Sequence, residues 1–324
     1  MAKFKVYISD YDYPDNEIEK KILEPIGAEV IGLKCKTGEG LAELAPDADA
    51  ILQQYAKIGR ATIEKMPNLK IIARYGIGLD ILDVDACRDN GIVVTNVPDY
   101  CLDEVADHAI SMSFMLMRSL PHYNSRVRAG SYRWQDWLAP IPRFRGATYG
   151  LIGFGRIAQN LAHKMRAFGF NIIACDPFLS KYFMATLGVE KVDLDEIFKR
   201  SDVVNVLAPY NEQTHHMVNK RTLELMKSSA YMVCVSRGKC VDNKALYHAL
   251  KDGVIAGAAL DDPEEEPMKV DNWSPSMNPL FTLENCYFTP HTAYVNRVSV
   301  EECREVAATN VRAVLLGEEP FDIV

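Results

Sequence analysis

The sequence predicts an α/β protein of two domains, each built on a sheet of parallel strands. Short apolar, β-branched stretches alternate with helical stretches along nearly the whole chain, which is the pattern of repeated strand–helix–strand units. The length of 324 residues exceeds the usual size of one domain, about 100–200 residues. A polar, proline-bearing connection at residues 128–146 indicates a boundary or a crossover between two groups of such units.

The first group of strands precedes a long apolar helix, which the sequence predicts over residues 103–120. A shorter helix is expected at residues 16–24. The predicted strands of this group are KFKVYISD (3–10), AEVIGL (28–33), DAILQQY (49–55), LKIIARYG (69–76) and GIVVTNVP (91–98). Each is short and largely apolar, and two of the five end at a glycine or proline, as parallel strands bounded by turns do.

The second group begins at Ala147 and includes a helix over residues 154–169. Its predicted strands are ATYGLIG (147–153), FNIIACD (170–176), SDVVNVLAP (201–209), AYMVCVSRG (230–238), VIAGAALD (254–261) and CYFTPH (286–291). In open parallel sheets the carboxyl ends of the strands face the ligand crevice. Arg237, Asp261 and His291 follow such ends, so we expect the chemistry there.

Composition and charge restrict the classes of function. The net charge is −8, and an acidic surface repels phosphate backbones, so we expect no nucleic-acid partner. The richest apolar stretch, residues 109–117, has about half the length of a membrane span, and the first residues show no targeting pattern. The 8 cysteines include no CxxC pair. We therefore expect reduced thiols, no metal site and a cytoplasmic protein.

A dinucleotide fingerprint, GFGRIA at residues 153–158, follows a predicted strand and opens a helix. Gly153 suits the tight turn, Gly155 allows close approach of a pyrophosphate, and Ala158 keeps helix and strand close. The next predicted strand ends at Asp176, whose carboxylate suits ribose hydroxyls and repels a 2′-phosphate. The motif predicts a Rossmann-like domain that binds NAD rather than NADP. A glycine turn with a chance aspartate is the alternative.

Three side chains suit proton transfer beside a bound oxo acid. Arg237 offers a planar fork for a carboxylate. His291 can donate a proton near neutral pH, and Glu266 offers a carboxylate partner that would raise the pKa of the imidazole. Each residue alone is more often structural, but the three together, downstream of the fingerprint, predict a catalytic site.

The chain resembles the D-isomer-specific 2-hydroxyacid dehydrogenases over nearly its whole length. The motifs that carry the resemblance are GIGLD (76–80), GIVVTNVP (91–98), EVADHA (104–109), GLIGFGRIA (150–158), SRGKCVD (236–242), GAALDDPEEEP (257–267) and TPHTAY (289–294). The resemblance implies that Arg237 holds the substrate carboxylate and carbonyl, that His291 is the general acid, and that Glu266 pairs with His291.

The resemblance also implies a domain arrangement and binding residues. The nucleotide domain, residues 101–291, is inserted into a flavodoxin-like substrate domain formed by residues 1–100 and 292–324, with the crevice between them. The implied cofactor contacts are Gly153, Gly155, Arg156, Ile157, Asp176, Ala208, Pro209, Thr214, Val235, Ser236 and Asp261. The expected substrate contacts are the backbone of Ile77 and Gly78 and the side chains of Tyr55, Tyr100 and Tyr294, although these tyrosines suit ordinary half-buried positions equally well.

Departures from the family pattern bear on the substrate. The usual Asp-Val-Phe reads Asp261-Asp262-Pro263, for which the sequence offers no physical account, and Leu207 stands where histidine is frequent. Residues 52–58 lack the arginine of phosphoglycerate dehydrogenases, although Arg74 remains, and we see no C-terminal regulatory domain of their kind. We therefore expect a small unphosphorylated 2-oxo acid.

Two further expectations concern partners. The family is typically dimeric, so we expect a homodimer through residues 103–130, the alternative being that helix 103–120 is simply buried. Two competing classes are the C-terminal binding proteins, NAD-sensing corepressors that share this fold and bind peptide motifs, and a nucleotide-sensing regulator without catalytic activity. The presence of Arg237, Glu266 and His291 favours the enzyme.

Overall fold

The structure, a computed structural model, describes residues 2–265 and 272–324. Backbone contacts divide the chain into two units. Unit 1 comprises Met1–Cys101 and Val295–Val324, and unit 2 comprises Leu102–Tyr294. The chain thus leaves unit 1 once and later returns to it. The domain boundaries expected from sequence lie at residues 100/101 and 291/292.

The strands and helices alternate along both units. The strands are β1 Phe4–Ile8, β2 Ala28–Gly32, β3 Ala50–Gln53, β4 Ile71–Arg74, β5 Val93–Thr95, β6 Thr148–Ile152, β7 Asn171–Cys175, β8 Glu190–Lys191, β9 Val203–Val206, β10 Tyr231–Cys234, β11 Gly257–Leu260 and β12 Cys286–Phe288. The α-helices are α1 Glu17–Leu23, α2 Gly38–Leu44, α3 Arg60–Ile63, α4 Val84–Asp89, α5 Leu102–Met117, α6 Leu120–Arg128, α7 Arg156–Ala167, α8 Lys181–Thr186, α9 Leu194–Arg200, α10 Lys220–Leu223, α11 Asn243–Lys251 and α12 Arg297–Leu316.

Unit 1 is built on a parallel sheet in the order β2-β1-β3-β4-β5. This is the flavodoxin-like order, in which the sheet is filled outward in both directions from β1 and β3. Each strand lies inside a stretch predicted from sequence, because buried parallel strands read as short apolar runs. Apolar side chains pack on both faces, with α12 contributing Cys303, Ala307, Ala308 and Val311 to one of the two clusters.

A buried ion pair joins the two segments of unit 1. Arg304 in α12 donates to both carboxylate oxygens of Glu19 in α1, at 2.7 and 2.9 Å. The hydroxyl of Tyr75 donates to the same carboxylate at 2.8 Å, and Arg304 lies over the ring of Tyr13. The two charged side chains are only 5% and 1% exposed. Each charge of the pair therefore compensates the other, because burying either one alone would cost free energy of folding.

Unit 2 is built on a parallel sheet in the order β12-β11-β10-β9-β6-β7-β8. The order reverses between β6 and β9, as in doubly wound dinucleotide-binding sheets, where ligands bind at the switch point. The predicted two-sheet α/β fold is thus confirmed. The sequence did not predict β8, which has two residues and a polar sequence.

The long helix predicted over residues 103–120 is divided in the structure. Helix α5 ends at Met117, Ser119 adopts a left-handed conformation with φ of 50°, and α6 starts at the next residue. One face of α5 is buried in the apolar cluster beneath β6, and Asp107 and Ser111 are exposed on the other. No helix in the described residues is long and apolar enough to cross a membrane.

Replacing Arg304 by methionine should destabilise unit 1 by about 3 kcal/mol or more, because Glu19 would remain buried without its cation. The matched control is Arg312→Met on the same helix. Arg312 pairs with Glu318 at 3.3 Å, and both side chains are 40% or more exposed, so its loss should cost about 1 kcal/mol at most. Urea unfolding of both variants measures the difference, and equal midpoints would contradict this role of the buried pair.

Candidate functional site

The fingerprint turn after β6 is closely packed against the segment after β9. Gly153 has φ of 87°, and a Cβ built on it would lie 2.8 Å from the backbone nitrogen of Ala208. Its own N–H donates to Cys175 at the end of β7. Only glycine readily adopts this left-handed conformation and also leaves room for the backbone of Ala208. The turn therefore lies at the switch point of the sheet.

Gly155 opens helix α7 and faces space rather than protein. A Cβ built on it meets no described atom within 4 Å, and its φ of −71° is one that any residue adopts. The N–H groups of the first helical turn and the positive dipole end of the helix lie beside that space, which suits an anionic diphosphate. Ala158 is buried beneath the same turn. These features fit a dinucleotide.

Asp176 follows β7 and is tied to the fingerprint turn. One carboxylate oxygen accepts from the N–H of Phe154, and the other accepts from the N–H of Phe178, both at 2.9 Å. The carboxylate is thereby fixed beside the turn, where the ribose next to a bound diphosphate would lie. Arg156 and Ile157, the other fingerprint positions expected to touch the cofactor, occupy the first turn of α7.

The remaining expected cofactor positions follow β9 and β10. Ala208 is buried, whereas Pro209 is exposed. The hydroxyl of Thr214 donates to the carbonyl of Pro209 at 2.7 Å and closes the loop after β9. Val235 and Ser236 come directly after β10 and are half-buried. All of these positions lie at the carboxyl edge of the sheet.

Arg237 lies just beyond β10, and its neighbour Gly238 packs closely against the segment after β11. A Cβ on Gly238 would overlap the backbone of Asp262 and Pro263 and would lie 2.5 Å from the nitrogen of Glu264. Arg237 is half-buried and donates to the carbonyl of Ser236 at 3.1 Å. The absence of a side chain on Gly238 lets the arginine loop and the acidic loop touch.

His291 adopts a left-handed backbone conformation, with φ of 53°, which is uncommon outside glycine and typical of constrained functional positions. Asp261 holds it there. The backbone N–H of His291 donates to the carbonyl of Asp261 at 2.7 Å. The Asp261 carboxylate accepts from the N–H groups of Thr292 and Ala293 and from the hydroxyl of Thr289, at 2.6–3.0 Å.

The order of the strands brings the predicted catalytic residues of unit 2 to one edge. Arg237 follows β10, Asp261 follows β11 and His291 follows β12, and these three strands are neighbours. The ring of Tyr294 lies 6.0 Å from that of His291, nearly perpendicular to it. Glu266, the expected partner of His291, lies outside the described residues. Within them, Asp262 places a carboxylate oxygen 3.6 Å from Nδ1 of His291.

In unit 1, a buried aspartate shapes the loop after β3. The Asp10 carboxylate, 2% exposed, accepts from the N–H groups of Tyr55 and Ala56 at 2.8 and 3.0 Å. Tyr55 is buried, with the ammonium group of Lys36 over its ring. Gln53 donates to the carbonyl of Ala56 at 2.6 Å. This loop therefore has a fixed conformation.

Arg74 shapes the next loop of unit 1, which contains Ile77 and Gly78. Its guanidinium donates to the carbonyls of Gln53 and Gly78, both at 3.2 Å, and to that of Tyr75. Asn96 donates to the carbonyl of Ile77 at 2.9 Å, so the peptide planes of the loop are fixed. Of the two interpretations of Arg74 that the sequence allowed, these bonds favour the structural one.

Tyr100 lies beside the same loop. A Cβ built on Gly76 would be 3.6 Å from the Tyr100 hydroxyl. Burial raises the pKa of Tyr100 well above its ordinary value, so the phenol stays protonated and can donate a hydrogen bond. Sequence reasoning missed Asp10, Gly238 and the proximity of Asp262 to His291. Asp10 could have been suspected, because an aspartate at the end of a predicted buried strand needs hydrogen-bond partners.

Comparisons with known proteins agree with this geometry. Residues 110–293 match the family profile described as D-isomer specific 2-hydroxyacid dehydrogenase, NAD binding domain. The chain is 36% identical to D-3-phosphoglycerate dehydrogenase of Methanocaldococcus jannaschii over 99% of its own length and 59% of that protein's. It is 35% identical to glyoxylate reductase of Korarchaeum cryptofilum over 88% of its length and 85% of that protein's. The chain therefore spans little more than half of the first of these relatives.

A solved structure extends the similarity. The chain superposes on D-lactate dehydrogenase from Aquifex aeolicus, solved as a complex with NAD and lactic acid, with a TM-score of 0.86. The two sequences are 28% identical, and the superposition covers 97% of this chain and 96% of that one. The cofactor expected from the fingerprint is thus confirmed as NAD by the family's NAD-binding domain.

The two glycines of the fingerprint should respond differently to alanine. Gly153→Ala should lower the melting temperature of the free protein, because its Cβ would collide with Ala208 at a positive φ. Gly155→Ala should leave the melting temperature unchanged but weaken NADH binding about tenfold, because its Cβ would enter the space left for the diphosphate. Thermal melting and NADH fluorescence titration measure the two effects. Normal NADH affinity in Gly155→Ala would contradict the assigned site.

Proposed function

Because the chain belongs to the D-isomer specific 2-hydroxyacid dehydrogenase family, we propose that it transfers hydride reversibly between NADH and C2 of a small 2-oxo acid. The observation that carries the proposal is the edge of unit 2, where His291, Asp261 and Arg237 follow three neighbouring strands of the sheet that also bears the dinucleotide turn. The residues after these strands combine a proton donor with a carboxylate-binding cation.

Arg237 binds the substrate in this proposal. Its planar guanidinium pairs with the carboxylate of the 2-oxo acid and stabilises negative charge on the C2 oxygen. Gly238 keeps the arginine close to the acidic segment after β11, which limits the directions available to the side chain. The backbone of Ile77 and Gly78 in unit 1 would bind the same carboxylate from the substrate domain.

His291 supplies the proton. When bound, NADH provides the hydride that reduces C2, and the oxygen that becomes the hydroxyl needs a proton. Since Nδ1 of His291 faces Asp262, Nε2 on the other side of the ring is the atom that donates it, and in the reverse direction accepts it. Glu266 is proposed, by the family resemblance, as a further carboxylate partner of His291.

Asp176 selects the cofactor in this proposal. Its carboxylate is held beside the fingerprint turn and would hydrogen-bond the ribose hydroxyls of NAD, whereas the extra phosphate of NADP would meet a like charge. The positions Gly153, Gly155, Ala208, Thr214 and Ser236 would surround the rest of the dinucleotide. Unit 2 is therefore the proposed cofactor domain and unit 1 the proposed substrate domain.

The substrate is proposed to be a small unphosphorylated 2-oxo acid such as glyoxylate, hydroxypyruvate or pyruvate. A phosphate group needs a cation that can turn towards it, and Arg74 is engaged with three backbone carbonyls. Tyr55, Tyr100 and Tyr294 are the proposed side-chain contacts. The similarity to a glyoxylate reductase over 85% of that protein and to a D-lactate dehydrogenase solved with lactic acid supports this class.

The reaction is tested by following NADH absorbance with a panel of 2-oxo acids that includes 3-phosphohydroxypyruvate. Turnover should occur with unphosphorylated acids and NADH and be weak with NADPH. Arg237→Gln should raise KM chiefly, because it loses the carboxylate contact. His291→Gln should lower kcat by about 10²–10⁴-fold with a smaller change in KM. Normal kinetics in either variant would contradict the assigned role, and a preference for the phosphorylated acid would contradict the substrate class.

A homodimer and a cytoplasmic location are also proposed. Leu120, Val127, Tyr132, Trp134 and Trp137, in α6 and the segment after it, are exposed, and such a concentration of large apolar side chains suits an interface. The eight cysteines are free thiols, as expected in a reducing compartment.

Light scattering at micromolar concentration should give twice the mass of 36.4 kDa. Val127→Glu, in the region 103–130 expected to form the interface, should shift the protein towards monomer, because it buries a charge there. Phe178→Glu, at an exposed apolar residue of unit 2 outside that region, is the control. A monomeric parent would contradict the dimer.

A further inference from the structure

Asp262 places a buried carboxylate beside the ring of His291. Its Oδ2 lies 3.6 Å from Nδ1 of His291, and the two side chains are 4% and 21% exposed. The distance is too long for a hydrogen bond. It is short enough for a strong Coulomb interaction between groups that are largely screened from water. The residue also belongs to the unusual Asp261-Asp262-Pro263 stretch.

The backbone around Asp262 is firmly held. The N–H of Asp261 donates to the carbonyl of Cys234 at 3.0 Å, and Gly238 contacts the backbone of Asp262 from the other side. His291 is anchored to the carbonyl of Asp261. The aspartate and the histidine therefore sit on two neighbouring strand ends whose separation is fixed by these backbone contacts.

We propose that Asp262 is a positioning residue for His291, and the role rests on the proposed function. Its carboxylate keeps Nδ1 turned towards Asp262, so Nε2 points away from it. The same carboxylate stabilises the imidazolium form of His291. Because reduction consumes the proton of that imidazolium, Asp262 extends the activity of the enzyme to higher pH.

Two further titratable groups of unit 2 lie beside His291. Asp261 carries a carboxylate already bonded to two N–H groups and one hydroxyl, and Tyr294 presents its phenol ring. Arg237, which follows β10 at the same edge of the sheet, would oppose a second positive charge there, and Glu266, proposed from the family resemblance as a partner of His291, would favour it. Among the described residues, Asp262 places a carboxylate oxygen 3.6 Å from Nδ1, so its removal should lower the pKa of His291.

The first test is a titration of the imidazole signals by NMR in the free protein. The signal of His291 is identified by its loss in His291→Gln. In Asp262→Asn the pKa of His291 should fall by about one unit relative to the parent. Glu264→Gln is the matched control, because Glu264 belongs to the same acidic run but pairs with Nε2 of His216 at 2.5 Å. It should leave the pKa of His291 unchanged.

The second test is the pH dependence of kcat/KM for reduction. In Asp262→Asn the decline on the basic side should begin about one pH unit lower than in the parent. Near pH 5, below both pKa values, the histidine is charged in both proteins, so their kcat/KM values should differ less than they do near pH 8. A merely structural role for Asp262 would instead lower activity at every pH without shifting the profile.

The outcomes separate this inference from the proposed function. If no 2-oxo acid is reduced by the parent, the proposed function fails, and the NMR titration still tests the pairing. If the parent turns over and the pKa of His291 is the same in parent and Asp262→Asn, the inference is overturned alone. If Asp262→Asn does not fold, the pKa of His291 is measured in the parent protein alone. A value at or below the ordinary one of about 6.5 would overturn the proposal.

Discussion

The carboxylate of Asp261 is the constraint on which the rest of the candidate site depends. It accepts three hydrogen bonds from the segment after β12, and its own carbonyl accepts the N–H of His291. These bonds help to hold His291 in the left-handed conformation, which costs free energy for any residue with a side chain. A second histidine, His108, bonds the hydroxyl of Thr289 at 2.9 Å and extends the network to helix α5.

Buried charged side chains elsewhere in the molecule also fix the conformation of loops. Asp10 accepts two backbone N–H groups from the loop after β3, and Arg74 donates to three carbonyls around the loop after β4. In each case a charged side chain near the end of a strand is bonded to backbone groups that would otherwise be buried and unsatisfied. The segments that carry the proposed site residues thus have defined shapes although they lack regular secondary structure. Loops can orient a small substrate only if their own geometry is fixed.

The sequence predicted most of the fold because its strands are buried on both faces and appear as short apolar runs between turn residues. The fingerprint predicted the dinucleotide turn, since Gly153 occupies a position that only glycine can fill and Gly155 leaves open space beside the start of α7. Strand β8 was missed because its two residues follow no apolar pattern. The contacts of Asp262 with His291 and of Gly238 with the acidic segment join positions far apart in sequence. They depend on strand order, which residue patterns indicate only through resemblance to a family.

The ion pair between Glu19 and Arg304 bears on the order in which the protein acquires its structure during synthesis. Helix α12, near the end of the chain, supplies one side of the apolar cluster of unit 1 and the cation for Glu19. Until that helix leaves the ribosome, one apolar face of the sheet of unit 1 is uncovered and Glu19 lacks its cation. Unit 2 is continuous in sequence and is synthesised completely before then. The inserted unit can therefore fold first, while the unit that begins the chain is completed last.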